Sequence, residues 1–421
     1  MASEKYLSYD EILKRQMPRA FSTMVKPVGS ACNLDCSYCY YLDKESIYGG
    51  REPKMSLELL EEYIRQYIEG NRVDVVTFTW HGGEPTLAGL DFYRHAIEFQ
   101  KRYAGKKRID NSLQTNGTLL NEEWCKFLRE NNFLVGLSID GPQSIHDANR
   151  LDKQQQPTFK RVITAVGLLH RYGIEFNTMT TVNRNSIGRG REVYRFLKSI
   201  GSRYMQFMPV VEHTLTDERA PRPYIVPPMT PNSQLAPWSV TAEGYGEFMC
   251  DIFDEWITQD VGRYFVQLFD VSLAQWYGVK PALCAFCDNC GDSLVVEHNG
   301  DIYSCDHFVY PEYRLGNLTD TTLLEAFVSR RQADFGAAKH NNIPEECRRC
   351  RYYFACRGEC PKHRFDKSSQ GEEYMNTLCK GYKLFFRHVE PYMRKMAELL
   401  KQKQPPAAVM PWARSRMGMI Y

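Results

Sequence analysis

Between residues 22 and 209 the chain alternates strand-like and helix-like segments six times over about 190 residues. β-Branched and aromatic runs cover 22–28, 75–80, 111–115, 133–139, 175–182 and 204–209. Helical apolar spacing fills the intervals, over 55–68, 90–103, a stretch after Asn121, 158–172 and 191–200. Ser56 and Asn121 stand where N-caps are expected. Such alternation calls for a parallel sheet with right-handed crossovers. Six units rather than eight predict an α/β fold with an incomplete, TIM-like (β/α)6 barrel. In barrels of this kind the chemistry collects at the C-terminal ends of the strands. Those ends carry a cysteine loop after the first strand, Gly82-Gly83-Glu84 after the second, Thr115-Asn116-Gly117 after the third, and Ser138 with Asp140 after the fourth.

The cysteine loop holds Cys32, Cys36 and Cys39 in a C-x3-C-x2-C spacing. A cubane [4Fe–4S] cluster is usually held by four thiolates. Three thiolates in one loop leave one iron open to a ligand that offers an amine and a carboxylate. On spacing alone, three zinc ligands or three unrelated thiols are the alternatives. One β/α unit later, His81-Gly-Gly-Glu-Pro85 offers two glycines where backbone can approach a ligand closely, with Glu84 able to meet an ammonium group. His81 stands at the mouth of this site, equally suited to a ligand contact and to a strand end.

The composition changes near residue 280. Cys284, Cys290, Cys305, Cys347, Cys350, Cys356, Cys360 and Cys379 make eight thiols, the number that saturates two four-iron clusters; two zinc sites are the alternative. Cys287 interrupts the first group and is read as a spectator. Cys125 and Cys250 lie on expected helices as buried apolar residues. The run 293–305 reads as a hairpin turning at Asn299-Gly300, which delivers Cys305 and Asp306 together to one end of a ribbon.

These motifs carry a family resemblance. The C-x3-C-x2-C loop with Tyr38 before its last cysteine resembles the radical S-adenosylmethionine superfamily, and His81–Pro85 is similar to its glycine-rich motif. The late cysteines resemble the SPASM extension. Together, over roughly residues 20–400, the chain resembles the anaerobic sulfatase-maturating enzymes. The resemblance implies an oxidoreductase with three [4Fe–4S] clusters and S-adenosyl-L-methionine as cofactors. Cys32, Cys36 and Cys39 would hold the radical cluster. The interleaved sets Cys284, Cys290, Cys305, Cys360 and Cys347, Cys350, Cys356, Cys379 would hold the auxiliary ones. Cofactor contacts fall on Tyr38, Gly82, Gly83, Glu84, Ser138 and Arg150, with Ser138 bonding the ribose and Arg150 pairing with the carboxylate. Tyr41 would line the substrate side and Asp306 would be the general base. The implied reaction oxidises a serine or cysteine of a sulfatase polypeptide to Cα-formylglycine, with an electron donor of flavodoxin or ferredoxin type. Another SPASM peptide modifier, such as a thioether-forming maturase, is the alternative reaction; an electron-transfer protein or a zinc-stapled interaction module are alternatives of a different kind.

The remaining features bound this reading. A net charge of +2 gives no cause to expect nucleic acid or an anionic membrane as partner. No run approaches a membrane span of ~18 apolar residues, and the first residues lack an apolar signal core, so a cytoplasmic location is expected. Fourteen cysteines there point to metal rather than disulfides. The expected organisation is a helical lead-in (1–21), the partial barrel (22–238), a helical connector (239–280), the cluster domain (281–382) and a terminal helix and tail (383–421). Residues 212–238 read as a loop suited to closing over a substrate. The segments after 284 are expected to hold few long elements, and the proline-bearing tail to be loosely ordered.

Overall fold

The computed structural model describes residues 20–42, 44, 54–216, 224–227 and 230–418; most of the expected lead-in lies outside them. Six parallel strands alternate with helices as the sequence requires. They are β1 (Ser22–Lys26), α1 (Leu57–Gly70), β2 (Val75–Trp80), α2 (Leu90–Tyr103), β3 (Arg108–Thr115), α3 (Glu122–Glu130), β4 (Leu134–Ser138), α4 (Phe159–Arg171), β5 (Phe176–Val182), α5 (Gly190–Ser199) and β6 (Tyr204–Pro209). Ser56 and Asn121 cap α1 and α3 by accepting from the backbone N–H of Leu59 and Trp124, which satisfies donors that a helix start leaves open.

The strands bury one face and leave the other open. Val76, Phe78 and Trp80 of β2 are buried against the aromatic rings of Tyr63, Tyr67, Phe92 and Tyr93 on α1 and α2, whereas Thr77 between them is exposed. On β5, Phe176, Thr178, Thr180 and Val182 are buried and Asn177, Met179 and Thr181 are not. A closed eight-stranded barrel fills its interior with side chains; here the inward set is small, polar and partly exposed. That leaves room inside for ligands.

The sheet does not stop at the barrel. Phe265–Val266 (β7) pairs with β6 at one edge. At the other, Ser293–Glu297 (β8) pairs in parallel with β1, from Ser22↔Ser293 to Lys26↔Glu297. The expected hairpin is present: β8 turns through Gly300, which has φ +85°, into antiparallel Asp301–Tyr303 (β9), followed by Arg314–Asn317 (β10). Ten strands therefore make one sheet in the order β7-β6-β5-β4-β3-β2-β1-β8-β9-β10.

Helices α6 (Ala242–Gln259), α7 (Gln267–Tyr277), α8 (Arg330–Asn341) and α9 (Cys379–Lys401) complete the frame. α6 and α9 cross where a Cβ on Gly381 would sit 1.9 Å from the Ala242 carbonyl oxygen. Three expectations need correction. The cysteine-rich region contains the 12-residue α8, and α9 starts at Cys379 rather than near residue 384. The tail is ordered: Pro406–Val409 and Met410–Arg416 are helical, with Val409 and Ala413 fully buried and Trp412 edge-on to Tyr392. Apolar residues spaced between the prolines anchor it. The 212–238 loop carries three short strands, His213–Leu215, Tyr224–Ile225 and Gln234–Leu235.

Candidate active site

The cysteine loop is clamped from two sides. On one side, the backbone N–H groups of His81, Gly83 and Glu84 donate to the carbonyls of Val25, Gly29 and Ala31. On the other, those of Asp35 and Ser37 donate to Leu151 and Asn149. A Cβ on Gly83 would lie 2.1 Å from the Ala31 oxygen, so the glycine is required by the approach of the cysteine loop itself rather than by a ligand. Glu84 also has a different task from the one expected. Fully buried, it accepts from Thr86 N–H, Thr86 Oγ1, Thr115 Oγ1 and Asn116 N–H. Its carboxylate ties the end of β2 to the end of β3 and is not turned to a ligand's ammonium.

Burial pushes the Cys32 thiol up to about 12 and raises Cys36 and Cys39; Cys39 further raises Cys32, and Cys39 and Cys32 further raise Cys36. Thiols that feel each other's charge in a dry loop become thiolates when a cation joins them, which fits a shared iron cluster. Arg150 opposes this by lowering Cys36.

Arg150 lies 3.1 Å from the Asp140 carboxylate, with its guanidinium 5.6 Å from the centre of the Tyr38 ring. The Tyr38 hydroxyl donates to the same Asp140, which also accepts from Thr181 N–H and Oγ1. Arg150 therefore has a resident counter-ion. Through its Nε it belongs to a buried Arg–Asp–Tyr brace behind the cysteine loop. Ser138 ends β4 half-buried, its hydroxyl accepting from Gln114 Nε2 at 3.0 Å.

The hairpin brings Asp306 to the opposite wall. Lys26, fully buried on β1, forms an ion pair with Asp306, and its Nζ is 3.1 Å from His81 Nδ1 and 4.1 Å from the Tyr41 ring centre. The Tyr40 hydroxyl donates to the other Asp306 oxygen. Burial alone would raise Asp306, but Lys26 and then the neighbouring histidines outweigh it and hold the carboxyl well below its usual range. His81 Nδ1 receives the Gly82 N–H at 2.7 Å, and burial followed by Lys26 lowers the ring to about 3. The imidazole is therefore neutral with its proton on Nε2. Tyr41, expected on the substrate side, turns into the core instead: it is 3% exposed and donates to Glu297, the register partner of Lys26. Tyr40 is the tyrosine that meets the candidate base. Sequence reasoning also missed Lys26, which reads as one more strand residue; its signal is a lysine within an otherwise buried run. Beyond Tyr40, Lys362 stands 4.2 Å from the ring centre and ion-pairs with Glu212, and His307 packs edge-on.

The late thiols separate into the two expected sets. Cys360 is raised by burial and by Cys290, Cys305 and Cys284. Cys347 is raised by Cys379 and Cys350, and Cys356 by Cys379 and Cys347, and all four of Cys347, Cys350, Cys356 and Cys379 line one hollow. The second set has the shared, largely apolar enclosure that a four-iron cluster needs. Lys339 fixes the first loop by donating to the carbonyls of Cys284, Ala285 and Cys287. Cys287 directs its Sγ to the carbonyls of Pro281 and Leu283 at 3.4 and 3.6 Å. Among the described residues no helix is long and apolar enough to cross a membrane.

Comparison with known proteins agrees with this geometry. The Radical SAM superfamily model matches residues 27–197 and the SPASM iron-sulfur cluster-binding domain matches residues 282–351. A serine-type anaerobic sulfatase-maturating enzyme of Bacteroides thetaiotaomicron is 48% identical over 92% of this chain and 94% of its own length. A cysteine-type enzyme of Clostridium novyi is 34% identical over 92% of this chain and 100% of its own. Among solved structures, native anSMEcpe with bound AdoMet and Cp18Cys peptide superposes with a TM-score of 0.78 at 33% identity, covering 90% of this chain and 99% of that one. The chain thus belongs to the anaerobic sulfatase-maturating enzymes.

Proposed function

We infer that this protein oxidises the Cβ of a sulfatase serine or cysteine to Cα-formylglycine, with serine as the preferred target. The observation that carries the reading is the convergence of Asp306 with the Cys32/Cys36/Cys39 loop, through a hairpin hydrogen-bonded to the strand that precedes that loop. The serine preference rests on the 48% identity to a serine-type relative against 34% to a cysteine-type one.

The three cysteine sets hold [4Fe–4S] clusters. Cys32, Cys36 and Cys39 would hold the cluster that, with S-adenosylmethionine bound, would supply radical chemistry able to remove a hydrogen atom from the substrate Cβ. The chain's own residues do the rest. The brace of Tyr38, Asp140 and Arg150 fixes the loop, and Ser138 offers its hydroxyl to the ribose. Asp306, kept anionic by Lys26, accepts the substrate hydroxyl or thiol proton; a positioned base is worth roughly 10²–10⁴-fold. Tyr40 and Lys26 aim the two carboxylate oxygens, so a substrate group entering here meets a fixed acceptor. The partly exposed inner face of the barrel strands admits a peptide loop. One electron enters at cofactor cleavage and one leaves with aldehyde formation.

The test is anaerobic incubation of cluster-loaded, reduced protein with S-adenosylmethionine and a sulfatase active-site peptide in serine and cysteine versions. Mass spectrometry of the peptide and quantified 5′-deoxyadenosine give the answer. Aldehyde in step with deoxyadenosine, faster for serine, supports the reading. Deoxyadenosine with an unchanged peptide refutes the substrate, and a thioether product favours the other SPASM chemistry.

A further inference from the structure

Three consecutive residues, Arg357, Gly358 and Glu359, hold left-handed backbone, with φ of 51°, 70° and 52°. Residues with a Cβ adopt this conformation singly and at a cost, so a run of three persists only where its surroundings impose it. The run fills the gap between Cys356 of the second thiol set and Cys360 of the first. Arg364 imposes it. Its Nε donates to the Gly358 carbonyl at 3.0 Å and its Nη2 to those of Glu359 and Arg357 at 3.1 and 3.3 Å. Its Nη1 donates to the Lys339 carbonyl at 2.6 Å. The turn closes so tightly that a Cβ on Gly358 would lie 2.7 Å from Nη2.

Arg364 is 1% exposed, and so is Lys339 on α8. Among the described residues neither forms an ion pair with a carboxylate; the bonds of both end on backbone carbonyls, those of Lys339 on Cys284, Ala285 and Cys287. The side chain of Glu359, also buried, is bonded to His363 Nδ1 and Asn376 Nδ2 at 2.9 and 2.7 Å. A buried charge is retained only where something balances it. The thiol sets are what both cations face. Burial raises the thiols of Cys290 and Cys347, and Arg364 opposes it in both sets. Burial likewise raises Cys284, and Lys339 opposes it there and at Cys290, both in the first set.

We propose that Arg364 and Lys339 are the buried counter-charges of the two auxiliary clusters, Arg364 shared by both and Lys339 serving the first alone, and that they raise the clusters' reduction potentials. The proposal rests on the cluster ligation inferred above. A thiolate-held four-iron cluster gains one negative charge on reduction, and its potential follows the charge around it. A fixed cation in a dry interior therefore favours the reduced form. Arg364 acts through the clusters as a positioning residue and meets no substrate.

The test is a potentiometric titration of the cluster-loaded enzyme followed by electron paramagnetic resonance, with iron, sulfide and urea midpoint measured on each preparation. Signals indifferent to added S-adenosylmethionine belong to the auxiliary clusters. R364Q should lower both of their midpoints by about 59 mV, a tenfold loss of affinity for one electron. R364K keeps the charge and gives up most of the bonds to the 357–359 carbonyls, so its potentials should stay near the parent's while its urea midpoint falls. K339Q should lower one auxiliary midpoint and leave the other. Because the charges are buried, the shifts should persist at high salt. Unchanged potentials in iron-replete R364Q, or equal shifts in R364Q and R364K, overturn the proposal, the second by assigning the effect to the shape of the loop. Should R364Q fail to take up iron, K339Q decides, and unmoved midpoints there overturn the counter-charge role. Auxiliary signals missing from the iron-replete parent instead overturn the ligation on which the proposal rests.

Discussion

Lys26 and Asp306 are 280 residues apart in sequence and form one buried ion pair, made possible because β1 and the hairpin that leads to Asp306 belong to a single sheet. Removing one member of a buried pair leaves the other uncompensated, at a cost of about 3–5 kcal/mol. Lys26→Met should therefore lower both stability and aldehyde formation, and the denaturation midpoint with peptide kinetics on one preparation would separate the two. A variant that loses stability but keeps its rate would show that Lys26 is structural only.

Asp306→Asn keeps the shape and removes the proton acceptor. Aldehyde formation should fall by roughly 10²–10⁴-fold, while S-adenosylmethionine cleavage continues and deoxyadenosine outruns product. A proportional loss of both would place Asp306 in cofactor binding instead.

Gly83→Ala puts a methyl group 2.1 Å from the Ala31 oxygen, within the backbone that carries Cys32. Iron and sulfide content should drop by about one four-iron cluster in three, with deoxyadenosine formation abolished. Cys287→Ala, by contrast, should retain full iron, since its thiol points to carbonyls.

His146 is fully buried behind the Arg150 brace, with Nε2 3.0 Å from Thr158 Oγ1. Burial first, and then Arg150, lower it to about 4. The unfolded ring titrates near 6.5, so between those values the unfolded chain binds the extra proton and stability falls with pH. Between pH 7 and pH 5 this one residue should cost about 2 kcal/mol. His146→Gln should flatten the anaerobic urea midpoint over that interval by a similar amount; an unchanged slope would assign acid sensitivity to other groups.

Regular elements were legible because their signals are local. The strands 75–80 and 204–209 and the helix 90–103 match the structure residue for residue, since hydrophobic spacing and caps decide them. The grouping of the late thiols came from the family resemblance, because spacing alone leaves the interleaving open. Side-chain direction was not. Nothing local distinguishes Tyr40 from Tyr41, and only the register of β1 against β8 turns one to Asp306 and the other to Glu297. Likewise Glu84 and Arg150 read as ligand contacts because their partners Thr115, Asn116 and Asp140 come from other strands. Charges that find partners across a sheet look free in sequence. α8 stands out little in sequence because its stripe of apolar residues is narrow, with Gly336 and Ala338 where larger residues would announce a helix.

The pairing of β8 with β1 also governs how the molecule fails. Peeling the hairpin away would leave β1 as a bare strand edge with Lys26 stripped of its anion. The cysteine loop would lose the support of the strand leading into it. The two cluster-bearing parts therefore share one unfolding unit, whatever the length of chain between them. Insertions in the connecting segment after β6 can be tolerated, whereas a single-residue slip in that one strand pair would break the Lys26–Glu297 register and carry the hairpin that leads to Asp306 out of place.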